Sequence, residues 1–275
     1  LCKRDIKMKK LLIASLITLA SHSVIAVEKT AAEKNSIFAK ATQLYEAKNY
    51  PAAWQELQRI ADTGNAQAIY NLGTMTQEGK GTTQDNTKAI KYYQDASTKG
   101  YGPATLVLAR AYHHGNLGLA KNSQKYKEYL DRAAQQGSEE AIVEYADLLF
   151  KQGKPEYDQV AIKILRPLIR KDYPPAQNLK AVYDLGIGVK NKNPIMQQQA
   201  LESLYDLVKK GYAPSMMILG NMLANGGIVD QNLEEAKTIF SRLTKVNYPN
   251  AKESLIQVEQ AIAAKKSAPP QAPKK

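Results

Sequence analysis

Along most of this chain, apolar or small residues recur every three to four positions, yield to a glycine, asparagine or aspartate, and then resume. The stretch from Ala68 to Tyr101 shows the unit most clearly. Ala68, Leu72, Gly73 and Met75 fall on one face of a 3.6-residue helix, and Gly79 and Gly81 predict its end. Asp85 or Asn86 can cap a second helix whose inward face is Ala89, Ile90, Tyr93 and Ala96, and Gly100 closes it. The pattern predicts a helical hairpin and no sheet.

The turn that closes the hairpin recurs. T-G-N-A-Q-A, K-G-Y-G-P-A, Q-G-S-E-E-A, K-D-Y-P-P-A, K-G-Y-A-P-S and V-N-Y-P-N-A align on their second residue, which is Gly64, Gly100, Gly137, Asp172, Gly211 and Asn247 in turn. The steps between them are 36, 37, 35, 39 and 36 residues. A small residue follows four places later each time: Ala68, Ala104, Ala141, Ala176, Ser215 and Ala251. Glycine, asparagine and aspartate are the residues that routinely accept the left-handed conformation ending a helix. Pro103, Pro175 and Pro214 sit in the following first turn, where a missing N–H costs no helical hydrogen bond.

On these residues the chain resembles the Sel-one-like repeat family, a relative of the tetratricopeptide repeat. The family pattern is met at Ala68, Leu72, Gly73, Gly79, Gly81, Asp85, Lys88, Ala89, Tyr92 or Tyr93, Ala96 and Gly100. The unit from Ser215 meets it at Leu219, Gly220, Gly226, Asn232, Ala236 and Phe240. The middle units drift: Ala109, Ala146 and Ala181 stand for the first glycine, and Lys180 for the leucine. The segment 37–64 is nearer a plain tetratricopeptide unit, with Ala41, Tyr50, Ala53 and Leu57 in phase. The resemblance implies an all-α fold, a right-handed superhelical solenoid of stacked helix-turn-helix repeats. About six hairpins and a capping helix are expected over residues 36–264, with longer hairpin loops at Lys190–Pro194 and Gly226–Asp230.

The ends read differently. Met8-Lys-Lys opens a stretch with a charged start, an apolar run over Leu11–Ala20 and a small-residue site at Val24-Ile25-Ala26, the pattern of a secretory signal peptide. Residues 1–7 are then an upstream extension, 8–26 the signal, and 27–35 a flexible N-terminus. The apolar run is shorter than the roughly 20 residues of a membrane span, so no stable span is expected after cleavage. Residues 265–275, K-K-S-A-P-P-Q-A-P-K-K, read as a disordered tail. A periplasmic or secreted location follows from the leader.

Charge and cysteine usage sharpen this picture. The chain carries a formal net charge of +12. Removing the leader leaves 33 basic and 25 acidic residues, a net +8 that suits an anionic envelope component and, with no nucleic-acid motif, gives no reason to expect nucleic acid. Cys2 is the lone cysteine, so no disulfide holds the repeats. That departs from the exported branch of the family whose repeats each carry a disulfide and which is linked to penicillins.

Catalytic patterns are missing from the sequence. Five residues separate Gly73 from Gly79, and Gly81 follows Lys80, so no phosphate loop is formed. There is no S-x-x-K, G-x-S-x-G or H-E-x-x-H. His113 and His114 are the histidines remaining after the leader, too few for a protein-only zinc site, so no catalytic residue, metal or cofactor is expected.

The resemblance implies instead that first helices line a concave groove for a protein or peptide. Transferring the tetratricopeptide pattern puts ligand-facing positions two, six and nine residues after each small anchor. These include Tyr70, Thr74 and Gln77; Arg110 and His113; Asp147 and Phe150; Asn178 and Val182; Met217 and Asn221. The candidate partner-binding residues are Tyr70, Arg110, His113, Asp147, Asn178 and Asn221. The reading is a monomeric, non-enzymatic interaction adaptor or scaffold of the cell envelope. A secreted host-protein-binding factor and a penicillin- or cell-wall-acting hydrolase are the alternatives.

Overall fold

The computed structural model describes residues 37–267, and the regular elements among them are all α-helices. The expected upstream extension, signal peptide and flexible N-terminus lie outside the described residues, as do positions 268–275 of the expected tail. The helices group into two compact units that divide between Ser138 and Glu139.

The first unit holds three hairpins. They are α1 (37–46) with α2 (Tyr50–Ala61), α3 (Ala66–Glu78) with α4 (Asn86–Thr98), and α5 (Gly102–His114) with α6 (Ser123–Gln135). Polar side chains start several of them. Asn65, Asp85 and Asn122 accept from the backbone N–H three residues on at 3.0, 2.9 and 2.9 Å, satisfying a donor that the first helical turn cannot. Gly81 is required by close approach: a Cβ there would sit 2.3 Å from the carbonyl oxygen of Tyr50 at the start of α2. A buried polar network ties three helices of this unit together. Ser97 on α4 lies 2.7 Å from Thr105 of α5, Gln136 after α6 donates to the Ser97 carbonyl at 3.0 Å, and Arg132 of α6 donates to the Ser97 hydroxyl at 2.8 Å.

The second unit pairs α7 (Glu139–Phe150) with α8 (Pro155–Arg170), α9 (Pro174–Lys190) with α10 (Pro194–Lys209), and α11 (Ala213–Asn225) with α12 (Leu233–Lys245). The last helix, α13 (Ala251–Ser267), packs Val258, Leu255 and Ile262 against the core of α11 and α12. It runs through Lys265, Lys266 and Ser267, three residues into the stretch expected to be a tail, because the first proline comes only at Pro269.

The turn register is observed in full. Asp172 and Asn247 have φ of 61° and 51°, and the four glycines of the register lie between 78° and 84°. The five turns from Gly100 to Asn247 cross their bonds as a Schellman motif does, while Gly64 makes only the bond to Ala61. The Gly100 N–H donates to Ser97 and the Tyr101 N–H to Ala96, while Asp172 and Tyr173 reach Ile169 and Leu168, all at 3.0 Å. The small anchors, from Ala68 to Ala251, are all fully buried. Tyr101, Tyr173 and Tyr212, one place after the turn residue, are half-buried, and burial pushes their hydroxyl pKa values up.

The 39-residue step does not come from the longer hairpin loop expected at Lys190–Pro194. The connection at 191–193 is short, whereas α9 and α10 are 17 and 16 residues long against 13 each in α3 and α4. Gly186 and Gly188 stay helical and do not end α9, so the additional residues extend the hairpin arms.

Candidate partner-binding cleft

In the first unit a cavity of 270 Å³ opens between the two first helices α1 and α3. Phe38 and Ala41 of α1, Leu57 of α2 and Met75 of α3 make its apolar floor; Thr42, Gln67, Asn71 and Thr74 bring polar groups to it. Tyr45 stands at one end. Its hydroxyl accepts from Lys80 Nζ at 2.6 Å, and Lys80 also pairs with Glu78 at 2.8 Å, which with that bond holds the lysine charged. Tyr45 meets Tyr50 edge-on at 5.2 Å, fixing the ring. On the outer side, buried Glu56 accepts from Arg59 at 2.6 Å and pairs with Lys40 at 3.2 Å, locking α1 onto α2.

The cleft exists because small residues meet at its base. Ala41 and Ala53 bring α1 and α2 close, and no side chain long enough to fill the gap projects from Thr42 or Thr74. Tyr70 also lies on α3. Its ring packs against Tyr93 at 5.6 Å and Tyr101 at 5.3 Å, leaving it half-buried in the stack. Tyr70 therefore has a packing role besides its expected place on the wall.

The other expected wall residues have varied settings. Arg110 and His113 share an exposed side of α5, one turn apart, and His113 leans on Tyr126 at 4.4 Å. Asp147 pairs with Lys151 along α7 at 2.5 Å. Asn178 accepts from the Ser215 hydroxyl at 2.7 Å, bridging α9 and α11. Asn221 is exposed on α11. Leu106, two residues after Ala104, and Leu185, nine after Ala176, fall at the same offsets from their anchors but are buried at 3 % exposure and belong to the core.

Five cleft residues escape the sequence reading: Phe38, Thr42, Tyr45, Gln67 and Asn71. The first three lie in the unit that departs most from the repeat pattern. Gln67 and Asn71 lie one residue before and three after the anchor, positions that face the preceding first helix. Reading each helix for both its neighbours would have found them. Among the described residues no group of three or more histidine, cysteine, aspartate or glutamate side chains could hold a metal, and no helix is long and apolar enough to cross a membrane.

Comparison with known proteins places these repeats. The Sel1 repeat profile matches residues 66–101, 103–138 and 213–243, and passes over the units anchored at Ala141 and Ala176. Protein sel-1 homolog 2 of Mus musculus is 36% identical over 109 residues, 38% of this chain; the match spans only 16% of that protein's length. The crystal structure of a Sel1 repeat protein from Oxalobacter formigenes superposes with a TM-score of 0.64 at 18% identity, covering 86% of this chain and 99% of that one, and shares the fold. A protective antigen of uropathogenic Escherichia coli with an SLR fold aligns at a TM-score of 0.46 and 18% identity, over 90% of this chain and 67% of that one. Sel1 repeat proteins generally mediate protein–protein interaction. The chain thus contains Sel1 repeats over residues 66–101, 103–138 and 213–243 and shares its fold with a solved Sel1 repeat protein.

Proposed function

We propose that the chain is a non-enzymatic adaptor that captures a segment of a partner protein by seating one apolar side chain between α1 and α3. The observation that carries this is the open cleft of 270 Å³ with an apolar floor and polar groups beside it. That volume is at or below the roughly 300–1,000 Å³ of small-molecule sites, so it suits a single anchor side chain better than a free ligand of drug size. Burying one leucine- or phenylalanine-sized group contributes about 1.5–3 kcal/mol, so tight capture needs further contacts along the first helices. Exposed Arg110, in the same unit, is a candidate for one of them.

Selection of a random displayed peptide library on the purified chain tests the reading. Binders should share a large apolar residue, and Thr74→Arg, which puts a long cation over the cleft, should weaken them about tenfold or more with the melting temperature unchanged. Binders indifferent to Thr74→Arg but lost with Lys91→Ala, on the exposed side of α4, would refute the cleft. The cell envelope is the proposed place of action, supported by the leader pattern at 8–26 and the positive charge. N-terminal sequencing of periplasmic material should find a start near Val27, and a retained Met8 start would count against export with cleavage.

A further inference from the structure

Four residues after the small anchor, three repeats place a fully buried leucine: Leu72, Leu108 and Leu219. One turn further on, Thr76, Leu149 and Leu223 are buried in theirs. In the repeat anchored by Ala176, these two positions are Lys180 and Asp184. They pair with one another at 2.7 and 2.5 Å, with side chains 27% and 26% exposed. A cavity of 190 Å³ opens around them between α8, α9 and α10, and its polar lining is Gln177, Lys180, Asp184, Ser203, Asp206 and Lys210.

One group in this lining lacks a partner. Gln177 donates through Nε2 to Asp172 at 2.8 Å, yet its Oε1 is buried and accepts from nothing. An unmet buried acceptor is costly, and a partly buried ion pair gains little over the apolar packing of Leu219 and Leu223 at the same positions. The repeat anchored by Ser215 has hydrocarbon at both positions, the buried Leu219 and Leu223. Departures of this kind from local consistency are where function concentrates.

We propose that this cavity binds a small zwitterion, a free α-amino acid. Lys180 and Lys210, the latter also held by Asp172 at 2.7 Å, bring ammonium groups for a carboxylate, while Asp184, Gln177 Oε1 and Asp206, which also pairs with Lys209 at 3.1 Å, bring acceptors for an α-ammonium. A simple anion entering would face two aspartates, a simple cation two lysines, and an apolar molecule would strand all of them. A zwitterion lets the Lys180–Asp184 pair open with each charge re-paired, so no net charge is buried. The volume admits only a compact ligand.

Calorimetry and thermal shift on the full chain, with L-alanine as the probe, test this. Saturable binding and a raised melting temperature are expected, with N-acetylalanine and alaninamide each weaker by about tenfold or more, since each lacks one charge. The Lys180→Leu/Asp184→Leu variant restores the pair seen at Leu219 and Leu223; it should stay folded and lose binding. Gln177→Met, a milder change, should weaken binding by about tenfold. Absence of saturable binding at tens of millimolar, equal effects of acetate or methylammonium alone, or full binding by the double-leucine variant would each overturn the proposal.

Discussion

A Cβ added to Gly220 would lie 2.7 Å from Cε1 of Phe240, a ring with no solvent exposure on the paired helix. Gly73 stands in the same relation to Tyr93, at 2.9 Å. At two places where the chain puts alanine instead, the core around it holds a leucine of the paired helix: Ala146 shares a core with Leu165, and Ala181 with Leu204. These hairpins keep the summed volume nearly constant, glycine with an aromatic and alanine with a leucine. Gly220→Ala should therefore cost about 1–3 kcal/mol through overpacking, despite the better helix propensity of alanine. Adding Phe240→Leu should recover part of that loss, and a urea double-mutant cycle reads the coupling; additive costs would show that the two positions do not share the space.

The turn register makes a second prediction. Gly100 has φ of 84° and open space around its Cα, so Gly100→Val should cost on the order of 1–2 kcal/mol from backbone conformation alone. Asn247→Gly should be neutral or slightly stabilising. Asp172→Gly is a poorer comparison, because Lys210 holds the Asp172 carboxylate at 2.7 Å. An unchanged melting curve for Gly100→Val would remove the left-handed turn as a source of stability.

Tyr70 and Asn71 are neighbours in sequence with separate roles. Tyr70→Ala removes ring contacts to Tyr93 and Tyr101, each worth about 0.5–1.5 kcal/mol beyond area burial, and should lower the melting temperature whether or not a partner is present. Asn71→Ala, at the cleft, should leave the melting temperature in place and alter only peptide capture. A stable Tyr70→Ala variant that loses peptide binding would keep Tyr70 in the partner-contacting set.

Acid should loosen the chain at two identifiable carboxylates. Hydrogen bonds from Arg59 and then Lys40 hold Glu56 below its usual pKa, and those from Lys210 and then Gln177 do the same for Asp172. A depressed folded pKa means that the stabilisation is present above the ordinary carboxyl range and fades as pH falls through the lowered value. Urea midpoints should drop on acidification below about pH 4, and the drop should be shallower in Glu56→Gln and in Asp172→Asn. An acid limb of unchanged steepness in both variants would place the sensitive groups elsewhere.

The sequence by itself determined the all-helical hairpins, the turn register and the small anchors. Each is a local matter: periodicity selects the helix face, and a left-handed turn admits few residue types, so Gly100, Asp172 and Asn247 declare themselves. Expected wall residues were legible as positions on a helix, but not as open or closed. Only the tertiary structure decided that Tyr70 is held between Tyr93 and Tyr101 while Thr42 and Thr74 leave a cleft. It also decided that the 39-residue step lengthens α9 and α10, since Gly186 and Gly188 continue a helix that packing supports. The charged cavity at Lys180 was visible in sequence merely as a departure from the pattern. Its depth and the unmet Gln177 oxygen depend on which side chains three helices bring to one place, and that information lies between residues distant in the chain.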